Sequence, residues 1–214
     1  MDNITQNVGN RISNYNNYPR IVGETGGKNF HFIGPYDDFN TNILNNVVNK
    51  TIESSFNYSG QKCSACSVVY VPENIYKEFI EIFKEKTRLY KSIIDNYGVI
   101  NEKSFDKLNK LINELKNDNE IEFIIEGEIN DNTNYLVEPH LIMCKNHNHK
   151  VFNEEFFGPI LAIYPYNENK INETMELCIK SNNYALTGSI FSDNEHFKYF
   201  ATEKFKNKTG NFYV

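Results

Sequence analysis

Short β-branched and aromatic runs alternate along this chain with longer stretches whose apolar residues recur at helical spacing, and few architectures accommodate that alternation. The strand-like runs are Ser67–Val71, Ile121–Ile125, Tyr135–Val137, Ile160–Tyr166 and Ser189–Phe191. Phe39, Ile43, Leu44, Val47, Val48, Ile52 and Phe56 make one helical stripe. Ile75, Phe79, Ile82, Phe83 and Leu89 or Tyr90 make a second. Phe105, Leu108, Leu111, Ile112 and Leu115 make a third, with Asn101 placed to cap it. Weaker helical patterns cover Ile171–Ile179 and Phe197–Phe205, and Gly210–Val214 reads as one more strand. The expected fold class is α/β, with an open, largely parallel, twisted sheet and flanking helices.

With 214 residues, 40% of them hydrophobic and 23% charged, the chain can bury a sizeable core. A net charge of −6 and the lack of a basic stripe argue against nucleic acid as a partner. No apolar run approaches the roughly 20 residues needed to span a bilayer, so no membrane partner is expected. The opening Met1–Gln6 has neither a signal-peptide core nor an Arg-rich transit pattern, which reads as an unaddressed chain. Cys63, Cys66, Cys144 and Cys178 are too sparse for a disulfide scaffold and suggest a reducing compartment.

Three stretches carry chemistry. In Gly60-Gln61-Lys62-Cys63-Ser64-Ala65-Cys66, a thiol sits beside a glycine that permits close approach of a ligand and a lysine that adds local positive charge. The alternatives are a buried structural cysteine or, from the C-x-x-C spacing, a zinc site completed by His147 and His149. No second C-x-x-C supports zinc, and no metal is expected. Glu24 follows Ile21-Val22 and lies between Gly23 and Thr25-Gly26-Gly27, which suits a carboxylate at a strand end where water can approach. A thiol and a carboxylate base suit acyl chemistry through a thioester. A cysteine protease would instead need a histidine on the thiol, with His31 and His140 as candidates. Glu155-Phe156-Phe157-Gly158-Pro159 joins a carboxylate able to bind ribose hydroxyls to an aromatic face able to flank a planar ring. The dinucleotide fingerprint G-x-G-x-x-G is absent.

In order, Tyr18 through Phe32, Gly60 through Ser67, Glu154 through Pro159, and Leu186-Thr187-Gly188-Ser189-Ile190-Phe191-Ser192 resemble the aldehyde dehydrogenase superfamily. Lys62-Cys63-Ser64-Ala65-Cys66 is similar to its glutamate-semialdehyde branch, the pyrroline-5-carboxylate dehydrogenases of proline breakdown. The resemblance implies NAD as cofactor and a small aldehyde, glutamate semialdehyde, as substrate, oxidised to glutamate. It implies Cys63 as nucleophile, Glu24 as the base that activates water, and the Cys63 N–H as an oxyanion donor. It further implies cofactor contacts from Glu155, Phe157 and Lys62, a substrate carboxylate contact from Ser64, and a structural role for Cys66. By the same resemblance, residues 1–24 are the tail of a cofactor-binding domain, and residues 25–214 are a catalytic domain cut before its end. The strands that build the family's homo-oligomers are then missing. The rival expectation is an inactive fragment or decayed copy lacking the NAD-binding domain. Val68 stands where the family usually has Arg. Eukaryotic members act in the mitochondrial matrix, and the cytoplasm is the alternative.

Overall fold

The computed structural model describes residues 2–37, 40–93, 98–130 and 134–214, so Phe39 of the first stripe lies outside the described residues. A largely exposed helix, α1 (Asp2–Asn10), leads through a short 3-10 turn into an extended segment that reaches β1 (Phe30–Ile33). Ile21-Val22 is not a strand end. Both side chains are exposed, Val22 at 94%, because the pair meets no neighbouring strand. The strand that follows Glu24 is β1, whose four residues are all buried.

The first two stripes become α2 (Thr41–Phe56), capped by the Asn40 side chain, and α3 (Glu73–Ile93), with β2 (Val68–Pro72) between them. The third stripe becomes α4 (Glu102–Lys116), and Asn101 caps it by accepting from the Ser104 N–H at 2.9 Å. Next come β3 (Ile121–Ile125), β4 (Ile129–Asn130), β5 (Leu136–Val137) and β6 (His140–Cys144). The chain then runs through α5 (Lys150–Asn153), β7 (Ile160–Tyr166), α6 (Ile171–Ser181), β8 (Ala185–Phe191), α7 (Glu195–Phe205) and β9 (Thr209–Tyr213).

Seven strands form one sheet in the order β3-β6-β7-β2-β1-β8-β9. All neighbours are parallel except β3, which runs antiparallel to β6 and breaks register between Phe123 and Ile125. β4 and β5 form a separate antiparallel hairpin, so the run expected at Tyr135–Val137 stands outside the main sheet. Alternate residues of the central strands fill two cores. Phe30, Phe32, Val68 and Tyr70 face one way and meet Leu108 and Ile112 of α4, Met175 of α6 and Phe205 of α7. Ile33, Val69 and Val71 face the other way and meet Val48 and Ile52 of α2 and Phe79 and Phe83 of α3. Burial on both faces explains why β2 reads as an unbroken apolar run. Val68 is 1% exposed, in register with Phe30 on one side and Ala162 on the other.

The segments carrying Glu24, Cys63 and Glu155 enter β1, β2 and β7 respectively. The candidate site therefore gathers at the amino ends of parallel strands, whereas open α/β sheets usually bind ligands at the carboxyl ends.

Candidate active site

Lys28 and Asn29, the last residues before β1, are 3% exposed and hold the two other motif loops from opposite directions. The Asn29 amide Nδ2 donates to the carbonyls of Cys63 at 2.7 Å and Ala65 at 2.9 Å. Its Oδ1 accepts from the N–H groups of Leu186 and Thr187 on β8, each at 2.9 Å. The Thr187 hydroxyl adds a bond to the Ser64 carbonyl at 3.1 Å. Lys28 Nζ donates to the Glu154 carbonyl at 2.7 Å and lies 4.4 Å from the centre of the Phe156 ring. Burial pushes the Lys28 amine down to about 7, against the opposing pull of Cys66, Glu155 and Glu154.

The nucleophile loop leaves α2 through three consecutive left-handed residues, Tyr58, Ser59 and Gly60, with φ of 54°, 55° and 67°. For Tyr58 and Ser59 this conformation costs on the order of 1–2 kcal/mol each, and strain of this kind collects at functional sites. At Gly60 a side chain is barred twice over, because a Cβ would also drive into the Gly158 carbonyl. Gly60→Ala is expected to lower stability by about 3 kcal/mol and to part the Cys63 loop from the Glu155–Gly158 turn. A urea midpoint unchanged from the parent chain would contradict that packing.

Cys63 is exposed, while Cys66, Cys144 and Cys178 are buried. The Lys62 carbonyl accepts from the Ala65 N–H at 3.0 Å, and the Cys63 carbonyl faces Asn29. In a trans peptide the N–H points opposite to the preceding carbonyl, so the Cys63 and Ser64 N–H groups both turn outward from the loop. Neither donates a hydrogen bond within the described residues. Cys66 bonds the Val68 carbonyl at 3.2 Å, and burial pushes its thiol up to about 12, which suits a structural cysteine.

Glu155 is half-buried, and its carboxylate packs against Gly26, where a Cβ would lie 2.5 Å from Oε2. Gly26 is therefore the close approach that joins the Glu24 segment to the Glu155 turn. Phe157 takes a left-handed φ of 57° and is 45% exposed, so its ring stands out from the turn while Phe156 is buried beneath it. Gly27, Asn29, Gly60, Lys62, Glu155 and Phe157 line one narrow cleft with room for about one water, ≈ 20 Å³. Of the residues singled out from sequence, Lys62, Cys66, Glu155 and Phe157 line that cleft. Cys63 and Ser64 follow on the adjoining loop, and Glu24 lies on an exposed segment outside the sheet, two residues before Gly26.

The competing chemistries find no geometry. His31 is buried with Nδ1 on the Thr51 hydroxyl at 3.0 Å, and His140 with Nδ1 on the Glu138 carbonyl at 2.7 Å. Burial pushes both rings down to about 4, so neither is poised to activate Cys63. Among the described residues, the ligand-like cluster is Asp118, Glu120 and His149, which excludes Cys63 and Cys66. Its His149 already uses both ring nitrogens, donating from Nε2 to Asp118 and accepting at Nδ1 from the Val151 N–H. His147 hydrogen-bonds Tyr70 and stacks on Phe152.

The sequence pattern of the aldehyde dehydrogenase family matches residues 4–214. The chain belongs to that family. Among curated relatives, delta-1-pyrroline-5-carboxylate dehydrogenase, mitochondrial, of Dictyostelium discoideum is 38% identical over 206 residues, covering 94% of this chain and 36% of the relative. The protein of the same name from Homo sapiens is 33% identical over 214 residues, covering 97% of this chain and 37% of the relative. Among solved structures, the delta-pyrroline-5-carboxylate dehydrogenase of Mycobacterium tuberculosis, bound with NAD, superposes with a TM-score of 0.82 at 27% identity. That match covers all of this chain and 39% of the other. The chain thus spans under two fifths of the length of these relatives, and the α/β fold expected from the alternation of strands and helices is the fold observed. No helix among the described residues is long and apolar enough to cross a membrane. Lys28, Asn29 and Thr187 are the site residues to which the sequence reading gave no role, although all three fall within the stretches that resemble the family.

Proposed function

We propose that this aldehyde dehydrogenase family chain carries the thiol chemistry of glutamate-semialdehyde oxidation, in which the aldehyde becomes a carboxylate. The observation that carries this reading is the exposed Cys63 beside two outward-facing N–H groups, on a loop pinned to the Glu155–Phe157 turn. Cys63 Sγ adds as thiolate to the aldehyde carbon, and the resulting oxyanion lies within reach of the Cys63 and Ser64 N–H groups. NAD, when bound, supplies the hydride acceptor. Glu155, a half-buried carboxylate, would hold its ribose hydroxyls and Phe157, a ring held outward, would flank its nicotinamide, with Lys62 beside them. Loss of hydride leaves a thioester on Cys63. Glu24 takes a proton from water, the hydroxide attacks the thioester, and the acid departs with return of the thiolate. Ser64 is assigned to the carboxylate of the semialdehyde.

The same reading places residues 1–24 on the cofactor side and residues 25–214 on the catalytic side. The mitochondrial names of the relatives support the mitochondrion as its compartment. Positioning of hydride donor and acceptor supplies about 7–11 kcal/mol at best, and these 214 residues hold no glycine-rich pyrophosphate loop. Supplied with NAD and glutamate semialdehyde, the chain by itself is expected to form NADH at or near the background rate. Any rate above background is expected to vanish in Cys63→Ser. NADH formation that survives that substitution would overturn the assignment of the thiol.

A further inference from the structure

We propose that Asn29 is the positioning residue of the Cys63 thiol: its side-chain amide fixes the 63–64 and 65–66 peptide units to the start of β8, and so turns the Ser64 N–H beside the thiol toward the aldehyde. The inference rests on the reading of Cys63 as nucleophile. It concerns a residue that touches neither aldehyde nor cofactor in that reading.

The amide has all four of its hydrogen-bonding positions engaged, two donors on the Cys63 and Ala65 carbonyls and one oxygen shared by the Leu186 and Thr187 N–H groups. Its backbone carbonyl also accepts from the Ser67 N–H at 3.1 Å, the Ser67 hydroxyl at 3.1 Å and the Val68 N–H at 3.2 Å. One buried residue thus joins β1, the loop entering β2 and the start of β8, and no other side chain bonds the Cys63 carbonyl within the described residues. Between Gly60 and β2 the loop is otherwise held by its own short turns and by the Ile100–Gln61, Thr187–Ser64, Cys66–Ser54 and Ala162–Ser67 contacts. A buried amide with every position satisfied specifies one arrangement, and losing its donors leaves the buried Ala65 carbonyl and the partly buried Cys63 carbonyl without partners. Because a carbonyl and the N–H of the same peptide point in opposite directions, freeing the Cys63 carbonyl frees the Ser64 N–H as well.

The test needs no turnover, so it stands apart from whether the chain oxidises any aldehyde. In the native 214-residue chain, iodoacetamide is expected to label Cys63 alone, since the other three thiols are buried. In Asn29→Leu, which keeps the volume and removes all four bonds, Cys66 is expected to label at least tenfold faster while Cys144 and Cys178 stay protected. Asn29→Asp can still accept from Leu186 and Thr187 but, as a carboxylate, cannot donate to Cys63 and Ala65. Amide hydrogen exchange is then expected to rise about tenfold across residues 65–68 and to stay at the parent level at residues 186–187. If Asn29→Leu does not fold, Thr187→Val removes the neighbouring bond to Ser64, and exchange is expected to rise over the same loop. Labelling of all three buried thiols together, or exchange rising at both segments alike, would make Asn29 a general stabiliser and overturn the proposal. So would a Cys63 loop that behaves as in the parent chain in all three variants.

Discussion

Lowering the pH from 7 to 5 is expected to unfold the chain, because His31, His140 and His147 are buried as neutral rings. Burial pushes all three down from the ordinary 6.5 to about 4. Between those values the unfolded chain takes up protons that the folded chain refuses, so stability falls as the pH falls through the window from 6.5 to 4. With three such sites the slope approaches about 4 kcal/mol per pH unit, and the loss by pH 5 is on the order of 6 kcal/mol. That is comparable to the whole net stability of an ordinary domain, about 5–15 kcal/mol. The Thr51 and Tyr70 hydroxyls serve the neutral rings of His31 and His147, whereas at His140 burial outweighs the Glu138 carbonyl, which pulls the other way. Lys28 works in a different window. Its amine titrates near 7 in the folded chain against 10.5 in the unfolded chain, so its contribution makes stability rise from pH 7 upward until the buried thiols of Cys66 and Cys178 oppose it. A urea midpoint that stays level between pH 6.5 and 5 would show that these rings accept protons in place. Substituting His31 by Gln is expected to reduce the slope by about one proton's worth.

Glu24→Gln is expected to trap an acyl group on Cys63. An activated nitrophenyl ester can acylate the thiol without any cofactor, releasing nitrophenolate, and the proposed role of Glu24 then begins with the water that clears the thioester. Loss of a positioned general base costs about 10²–10⁴-fold. Nitrophenolate release by the variant should therefore stop after about one equivalent, with the acyl mass retained on the peptide containing Cys63. Cys63→Ser should lose the first release as well. Multiple turnovers by Glu24→Gln at the parent rate would remove Glu24 from the base role. Its placement suits the test: the segment is exposed to water, yet Gly26, two residues on, is packed against Glu155.

The helical half of the fold was legible because α2, α3 and α4 each bury one stripe, and a stripe at 3.6-residue spacing survives any loop. Asn101 was legible as a cap for a local reason, its side chain reaching an N–H three residues on. The strands were harder. β2 and β7 announced themselves as apolar runs, but β6, His140–Cys144, places a histidine, a methionine and a cysteine where β-branched residues usually stand. Ile21-Val22 misled in the opposite sense, since β-branched residues make a strand only where a neighbour offers hydrogen bonds. α1 carries too little apolar surface to leave a stripe.

The site divides along the same line. Cys63, Lys62, Glu155 and Phe157 were legible as chemistry-bearing residue types flanked by glycine. Lys28 and Asn29 were not, because their importance lies in burial and in partners more than 30 residues away in sequence, among them Cys63, Glu154 and Leu186. The left-handed backbone at Tyr58, Ser59 and Phe157 was equally silent, since nothing in those residue types asks for it.

The most direct test of Cys63 as the thiol that meets glutamate semialdehyde is its protection from alkylation. The native chain would be treated with iodoacetamide alone, with added glutamate semialdehyde, and with added glutamate, and labelling followed at each cysteine by peptide mass. Expected is labelling of Cys63 that slows as the semialdehyde concentration rises, through reversible hemithioacetal formation, and does not slow with glutamate, which has no aldehyde carbon. Labelling of Cys63 at the same rate in all three conditions would contradict its assignment as the nucleophile.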